Sequence, residues 1–239
     1  MKFSNKFKVR CSQIADISPE KKEFTDSTYK VMFNWMKAQP ELYGETFSSS
    51  IQSKYLTKGI EKENEAIQYV SKKFGYSYWE KNKLRKENEF LTGECDIDDE
   101  FDSEIIDIKC SWDSSTFPLF DSSLKTKRYK YQGIGYCALW DRENYSIIYT
   151  LMDTPDYLIE REARKQQYDL GLDEMEEDFY KSIEKKMIFS NFPDYLRIRR
   201  FQGKFDGDLY AKIIYKVSLM QDYIENIKES DIFDILREI

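Results

Sequence analysis

The segment Glu104-Ile105-Ile106-Asp107-Ile108-Lys109-Cys110 constrains this chain more than any other. Three β-branched isoleucines in so short a run favour a strand. Strand side chains alternate between faces, so Ile106, Ile108 and Cys110 look one way and Ile105, Asp107 and Lys109 the other. An otherwise apolar strand thus carries a carboxylate and an ammonium on one face. The ordinary explanation is a salt-bridged pair on an exposed sheet surface. The chemical explanation is a site.

The rest of the chain reads as mixed α/β. Residues 1–20 alternate weakly (Phe3, Phe7, Val9, Cys11), as a strand or an arm would. Ser18-Pro19-Glu20 has the composition of a helix start, which places a helix over 21–37. The stretch 40–47 is a break, and Ser48-Ser49-Ser50 caps the next element. A strong helix is expected over 53–74, ended by Gly75. Residues 76–79 and 89–95 read as strands, 111–123 as a loop around Pro118, and 124–140 as a helix weakened by Gly133 and Gly135. A strand over 145–151, a charged helical stretch over 157–186 interrupted near Gly171, a short strand over 195–201 and a helix over 208–227 complete the pattern. No repeat or linker divides the 239 residues. We expect one domain over 1–239.

The chain has no histidine. That excludes Ser-His-Asp and Cys-His catalysis, His-ligated zinc and HNH-type sites. Acid–base work is left to carboxylates, lysine, tyrosine or metal-activated water. Cys11, Cys95, Cys110 and Cys137 show no C-x-x-C spacing, so neither structural zinc nor an iron–sulfur centre is expected. Unpaired cysteines, no apolar leader and no apolar run of membrane-spanning length point to a cytoplasmic protein, the host cytoplasm if phage-encoded.

A net charge of −7 argues at first against a nucleic-acid partner. The distribution reverses that reading. Residues 94–107 hold eight acidic residues and no basic one, and the remainder of the chain is close to neutral. Residues 54–89 carry nine basic and six acidic residues, and Lys125, Lys127, Arg128 and Lys130 follow the acidic stretch. An acidic focus between basic segments suits a metal site beside a polyanion. A solvated acidic turn is the plain alternative.

On the helix expected over 53–74, Ile60, Ile67, Val70 and Phe74 recur at helical spacing, and Glu63 falls on the same stripe. A carboxylate on a buried face needs a compensating cation or metal, unless it sits at the stripe's edge and reaches solvent. Asp96, in Thr92-Gly93-Glu94-Cys95-Asp96-Ile97, precedes Asp107 by one strand. The polar segment between them can form a hairpin turn that sets the two carboxylates side by side. Paired carboxylate oxygens favour a hard cation such as Mg²⁺, with Mn²⁺ as a substitute. Lys109 beside them could orient an attacking water and stabilise a pentavalent phosphorus.

The order Glu63, Gly93-x-x-Asp96, Asp107-x-Lys109 resembles the PD-(D/E)xK nuclease core of helix, hairpin and metal-binding strand. Gln132-Gly-Ile-Gly-Tyr136 resembles the Q-x-x-x-Y helix motif of RecB-like nucleases, and residues four apart share a helix face. Gly59-x-x-x-Glu63-x-x-Ala66, and Tyr129-Lys130-Tyr131-Gln132 followed by Tyr136, are similar to the lambda-exonuclease-like, YqaJ-type viral recombinases. The resemblance covers about residues 54–150. The proline of the superfamily name is absent, and Asp107 stands where many relatives carry glutamate.

This resemblance implies a restriction-endonuclease-like α/β core, a central mixed sheet flanked by helices. It implies a Mg²⁺-dependent DNA exonuclease, acting 5′-to-3′ on duplex ends in phage-type recombination. Asp96, Asp107 and the backbone carbonyl of Ile108 would hold the metal with help from Glu63. Lys109 would position the water, and Gln132 and Tyr136 would orient the site or the scissile strand. A single-strand annealing protein and a ring-shaped homo-oligomer are the implied partners. A restriction-type endonuclease with the same core and a non-catalytic DNA-binding protein are the alternatives.

Among basic residues, Lys125, Lys127, Arg128 and Lys130 are the expected phosphate contacts. Arg197, Arg199 and Arg200 either hold phosphates or form a basic surface turn. Trp112 and Phe117, in the loop after the central strand, either stack on an end base or belong to the core.

Overall fold

The computed structural model describes residues 2–47 and 53–227. In chain order its elements are β1 (Val9–Arg10), a 3-10 helix (Cys11–Ile17), α1 (Asp26–Lys37), a 3-10 turn (Gly44–Thr46), α2 (Lys54–Phe74), β2 (Lys86–Glu87), β3 (Leu91–Gly93), β4 (Ile97–Asp99) and β5 (Glu104–Cys110). Then come α3 (Lys127–Trp140), β6 (Asn144–Thr150), α4 (Asp156–Asp169), α5 (Glu177–Glu184), a 3-10 turn (Asp194–Leu196), β7 (Ile198–Lys204) and α6 (Gly207–Asn226).

The main sheet is mixed, in the order β4-β5-β6-β7. β5 pairs antiparallel with β4 and parallel with β6, through the β5–α3–β6 crossover, while β7 returns antiparallel to β6. A small sheet of β1, β3 and β2 stands beside it. Both faces of β5 are covered. Ile106 and Ile108 pack with Ile148 against Ala66, Ile67 and Val70 of α2. Ile105 packs with Tyr145 and Ile147 into the larger cluster with Ile134 of α3 and Ile213, Val217 and Met220 of α6. Burying each isoleucine contributes roughly 1.5–3 kcal/mol. That anchoring holds Asp107 at 2 % exposure between them.

The helix over Lys54–Phe74 starts and stops where the sequence places it. The Ser53 side chain accepts from Leu56 N–H, and Gly75 closes the helix at φ +78°. The cap expected at Ser48-Ser49-Ser50 lies outside the described residues. Other boundaries differ. Ser18-Pro19-Glu20 is no helix start: Ser18 ends the 3-10 helix with φ +49°. α1 begins at Asp26, because Thr25 and Thr28 form a reciprocal capping box. Residues 76–79 are a turn, not a strand. Tyr76 N–H and Trp79 N–H bond back to Ser71 and Tyr76 carbonyls, and the Tyr76 and Trp79 rings stack at 4.4 Å. The strand expected over 89–95 shrinks to Leu91–Gly93. The weak alternation of residues 1–20 resolves into a two-residue strand and the 3-10 helix.

The charged stretch 157–186 forms two helices around Gly171, whose φ is +67°. The last strand shifts to Ile198–Lys204. Gly133 does not break α3, because α3 lies on the sheet so closely that a Cβ there would come within 2.5 Å of the Tyr145 ring. Close packing outweighs the roughly 1 kcal/mol that glycine costs a helix. No helix among the described residues is long and apolar enough to cross a membrane.

Candidate active site

The acidic focus sorts into structural and site residues. Asp98 accepts from Arg142 at 2.7 and 3.1 Å. Asp99 accepts from Trp79 Nε1 at 2.7 Å and caps the β4–β5 turn through Phe101 and Asp102 N–H. Glu104 is held by Arg200 and by Ser146 Oγ, and Glu94 meets Arg85 at 3.2 Å. Glu100 also meets Arg142, at 3.1 Å, and Asp102 is exposed on the turn. Asp96 and Asp107 remain.

The hairpin brings those two together. β4 pairs with β5 only from Ile97, opposite Ile106, so β5 runs on past its partner. Asp96 fills that step: its Oδ2 accepts from Ile108 N–H at 2.5 Å. In a strand the N–H and C=O of one residue leave by the same edge, so the Ile108 carbonyl is directed to the Asp96 side. On the adjacent face Asp107 Oδ2 lies 2.5 Å from Lys109 Nζ, and Oδ1 accepts from Gln132 Nε2 at 3.2 Å. The same amide nitrogen donates to Tyr136 OH at 3.0 Å. Gln132 and Tyr136 therefore act from one turn of α3. Gly93 permits this, since a Cβ there would meet the Tyr136 ring at 2.7 Å.

Glu63, Asp96, Ile108 and Lys109 line one cleft of about 580 Å³, walled also by Tyr55, Trp112, Tyr129 and Tyr149. Glu63 does not sit on a buried stripe as expected. Ile60, on the same side of α2, is 64 % exposed, because the first turns of α2 overhang the cleft rather than the sheet. The Glu63 carboxylate is turned to Lys81, 2.6 Å away. Among the described residues, no three acidic or cysteine side chains converge on one point.

Burial, then the Asp107 charge, pushes the Asp96 carboxyl well above the usual carboxylate range, with Lys109 pulling it back. Burial alone would lower the Lys109 pKa, but Asp107 and Asp96 outweigh it and push the ammonium up, so it stays charged. Burial and then Asp107 raise the Tyr136 phenol, which stays protonated. Asp107 Oδ2 is buried without an aligned hydrogen-bond donor, although Lys109 touches it. A buried carboxylate oxygen paired only with Lys109, beside a second carboxylate and a backbone carbonyl, gives oxygen donors of the kind a hard divalent cation takes.

Two residues beside the site have no role in the sequence reading, although Tyr129 belongs to the quoted glutamine-helix motif. Tyr129 lies under Lys109, with Nζ 4.9 Å from the ring centroid, three residues before Gln132 and so on its helix face. That spacing was a usable signal. Lys81, the partner of Glu63, comes from a loop and had none.

Trp112 and Phe117 are 7 % and 6 % exposed and belong to core clusters, though Trp112 also walls the cleft. Arg197 donates to the Leu151 carbonyl, Arg199 to the Asp121 carbonyl and Arg200 to Glu104 and Ser146. Lys125, Lys127, Arg128 and Lys130 are paired with Asp121, Glu20, Asp16 and Asp206.

A mixed sheet flanked by helices, with Asp96, Asp107 and Lys109 on its central hairpin, defines a PD-(D/E)xK-like nuclease core. Comparison with solved structures agrees. A phage-related exonuclease from Haemophilus somnus 129PT superposes with a TM-score of 0.73 at 30 % identity, covering 92 % of this chain and 95 % of that one. An alkaline exonuclease from Laribacter hongkongensis matches with a TM-score of 0.59 at 16 % identity, over 97 % of this chain and 92 % of that one. Its complex with dAMP matches with a TM-score of 0.57. The chain belongs to the lambda-exonuclease-like family of phage-related exonucleases. No protein-family model matches it, and no curated protein does.

Proposed function

We propose that this protein is a divalent-metal-dependent DNA exonuclease that degrades one strand of a duplex from its end, 5′-to-3′, in phage-type recombination. The observation that carries the reading is the buried Asp96–Asp107–Lys109 constellation on an exonuclease fold. Asp96, Asp107 and the Ile108 carbonyl would hold the ion, with Glu63 reaching it once released from Lys81. Bound Mg²⁺ or Mn²⁺ supplies Lewis-acid neutralisation of charge on the phosphoryl oxygens.

The chain's own residues do the rest. Lys109 remains an ammonium and donates to the attacking water or to a phosphoryl oxygen, which stabilises negative charge as it grows. Tyr129 limits where that ammonium can swing. Gln132 fixes the Asp107 carboxylate, and Tyr136 fixes Gln132. A single-strand annealing protein and a ring-shaped homo-oligomer belong to the same reading.

Digestion of 5′- and 3′-end-labelled linear DNA, with Mg²⁺ and with EDTA, tests the proposal. Mononucleotide release from the 5′ label in Mg²⁺ alone supports it. Cutting of closed circular DNA would make the protein an endonuclease, and no turnover with Mg²⁺ or Mn²⁺ a non-catalytic DNA binder.

A further inference from the structure

A second, smaller cavity opens where α4 lies against the start of α2. It is lined by Ser53, Lys54, Leu158, Arg161, Glu162 and Lys165. Ser53 also lines the active-site cleft, followed there by Tyr55 and Leu56, so the two cavities share a wall. Three cations face one acid. Lys54 is held at 2.5 Å by Glu162, which also accepts from Gln166. Arg161 and Lys165 are exposed and make no hydrogen bond or ion pair among the described residues.

On the same helix Arg164 is tied to Glu160 at 2.6 Å. The basic residues around α3 that the sequence nominates for phosphate contacts each have an acidic partner. Arg161 and Lys165, by contrast, are like charges four apart on one helix face, an arrangement that weakens a helix by a few tenths of a kcal/mol. An external polyanion that neutralises both would reverse that repulsion.

The position specifies which polyanion. Lys54 and Glu63 are nine residues apart on α2, about 14 Å along its axis. One strand of duplex rises about 3.4 Å per nucleotide. The cavity therefore lies within a few nucleotides of the cleft that Glu63 lines, across the shared Ser53 wall.

We propose that Arg161 and Lys165, beside the Glu162-paired Lys54, form a binding site for DNA backbone phosphates next to the active-site cleft. The proposal rests on the exonuclease reading and adds to it a contact surface on α4. These are positioning residues; they touch neither the scissile phosphate nor the carboxylates.

The test is the affinity of a fluorescein-labelled linear duplex in EDTA, measured across a salt series. R161E/K165E should weaken binding roughly tenfold at low salt and flatten the log K against log salt slope by roughly 1.4–1.8, two phosphates' worth of counterion release. R161K/K165R should keep the wild-type slope, because the charge is retained. Glu162→Gln, which removes the acid from the cavity, should tighten binding. Melting temperatures of all variants establish that each is folded. Wild-type affinity and slope in a folded R161E/K165E variant overturn this proposal alone. So does a loss in R161K/K165R as large as in the reversal, which would mark a packing role. Absence of DNA binding by the wild type overturns the exonuclease reading with it.

Discussion

Gln132 donates from Nε2 to Asp107 Oδ1 at 3.2 Å, so a helix on one face of the sheet sets the orientation of a carboxylate on its central strand. The other oxygen of that carboxylate touches Lys109 and lacks an aligned donor. Asp107 is thus held by an amide on one side and by an ammonium on the other, buried beneath the cleft.

Asp107→Asn should abolish Mg²⁺-dependent cleavage without lowering the melting temperature. The amide keeps the shape and an acceptor for Gln132. It removes the charge that, after burial, most raises Asp96, so relief of like-charge repulsion offsets the weakened Lys109 contact. Wild-type turnover in this variant would remove Asp107 from the site.

Lys109→Ala should lower single-turnover cleavage by a factor of about 10²–10³, the usual effect of losing one preorganised charge contact. Duplex affinity in Ca²⁺ should fall little. Arginine should rescue poorly, because its planar fork does not fit where a compact ammonium sits between Asp107 and the Tyr129 ring. A normal rate with a lowered melting temperature would reduce Lys109 to a salt-bridge partner.

Lys58 offers a pH test of the cleft wall. It is fully buried, and its Nζ donates to the Trp112 carbonyl at 2.9 Å. Burial lowers its pKa from 10.5 to about 8. Between those values the unfolded chain holds more protons than the folded one, so this group's contribution to stability rises with pH; below about pH 8 the folded protein carries the full penalty of a buried charge. The stability difference between Lys58→Met and wild type should therefore shift towards wild type by roughly 3 kcal/mol as pH rises from about 7.5 to about 10.5. Other titrating groups cancel in the comparison. A difference that does not change with pH in paired denaturant titrations would refute this account of Lys58.

Gly93→Ala should be destabilising although alanine is among the mildest of substitutions. Its Cβ would stand 2.7 Å from the Tyr136 ring and 2.9 Å from Cys11 Sγ. Overpacking of this kind costs about 1–3 kcal/mol. Because Tyr136 holds Gln132, cleavage should fall more than the loss of folded protein accounts for. Stability and activity like those of wild type would show that Tyr136 can yield without consequence.

The site was legible in the sequence where local spacing decides geometry. Strand alternation puts Asp107 and Lys109 on one face of β5, and helical spacing puts Gln132 and Tyr136 on one face of α3; both hold in the structure. Helix α2 was legible because its ends are marked by Ser53 and Gly75, whose effects act within one turn. The strand expected over 76–79 failed for the complementary reason. Its aromatic composition favours β-structure, but the chain reverses after Gly75 and stacks Tyr76 on Trp79.

Composition and the periods of helix and strand were enough to say which residue types the chemistry must use and which pairs share a face. They could not say which of the acids in residues 94–107 are tied up in structural pairs; long-range packing decides that. Asp98, Asp99, Glu94 and Glu104 are held by Arg142, Trp79, Arg85 and Arg200, partners at least nine residues away in the chain. Packing also turned Glu63 to Lys81 and set Arg161 and Lys165 beside the start of α2. Those relations depend on how helices and sheet come together, and no local period encodes them.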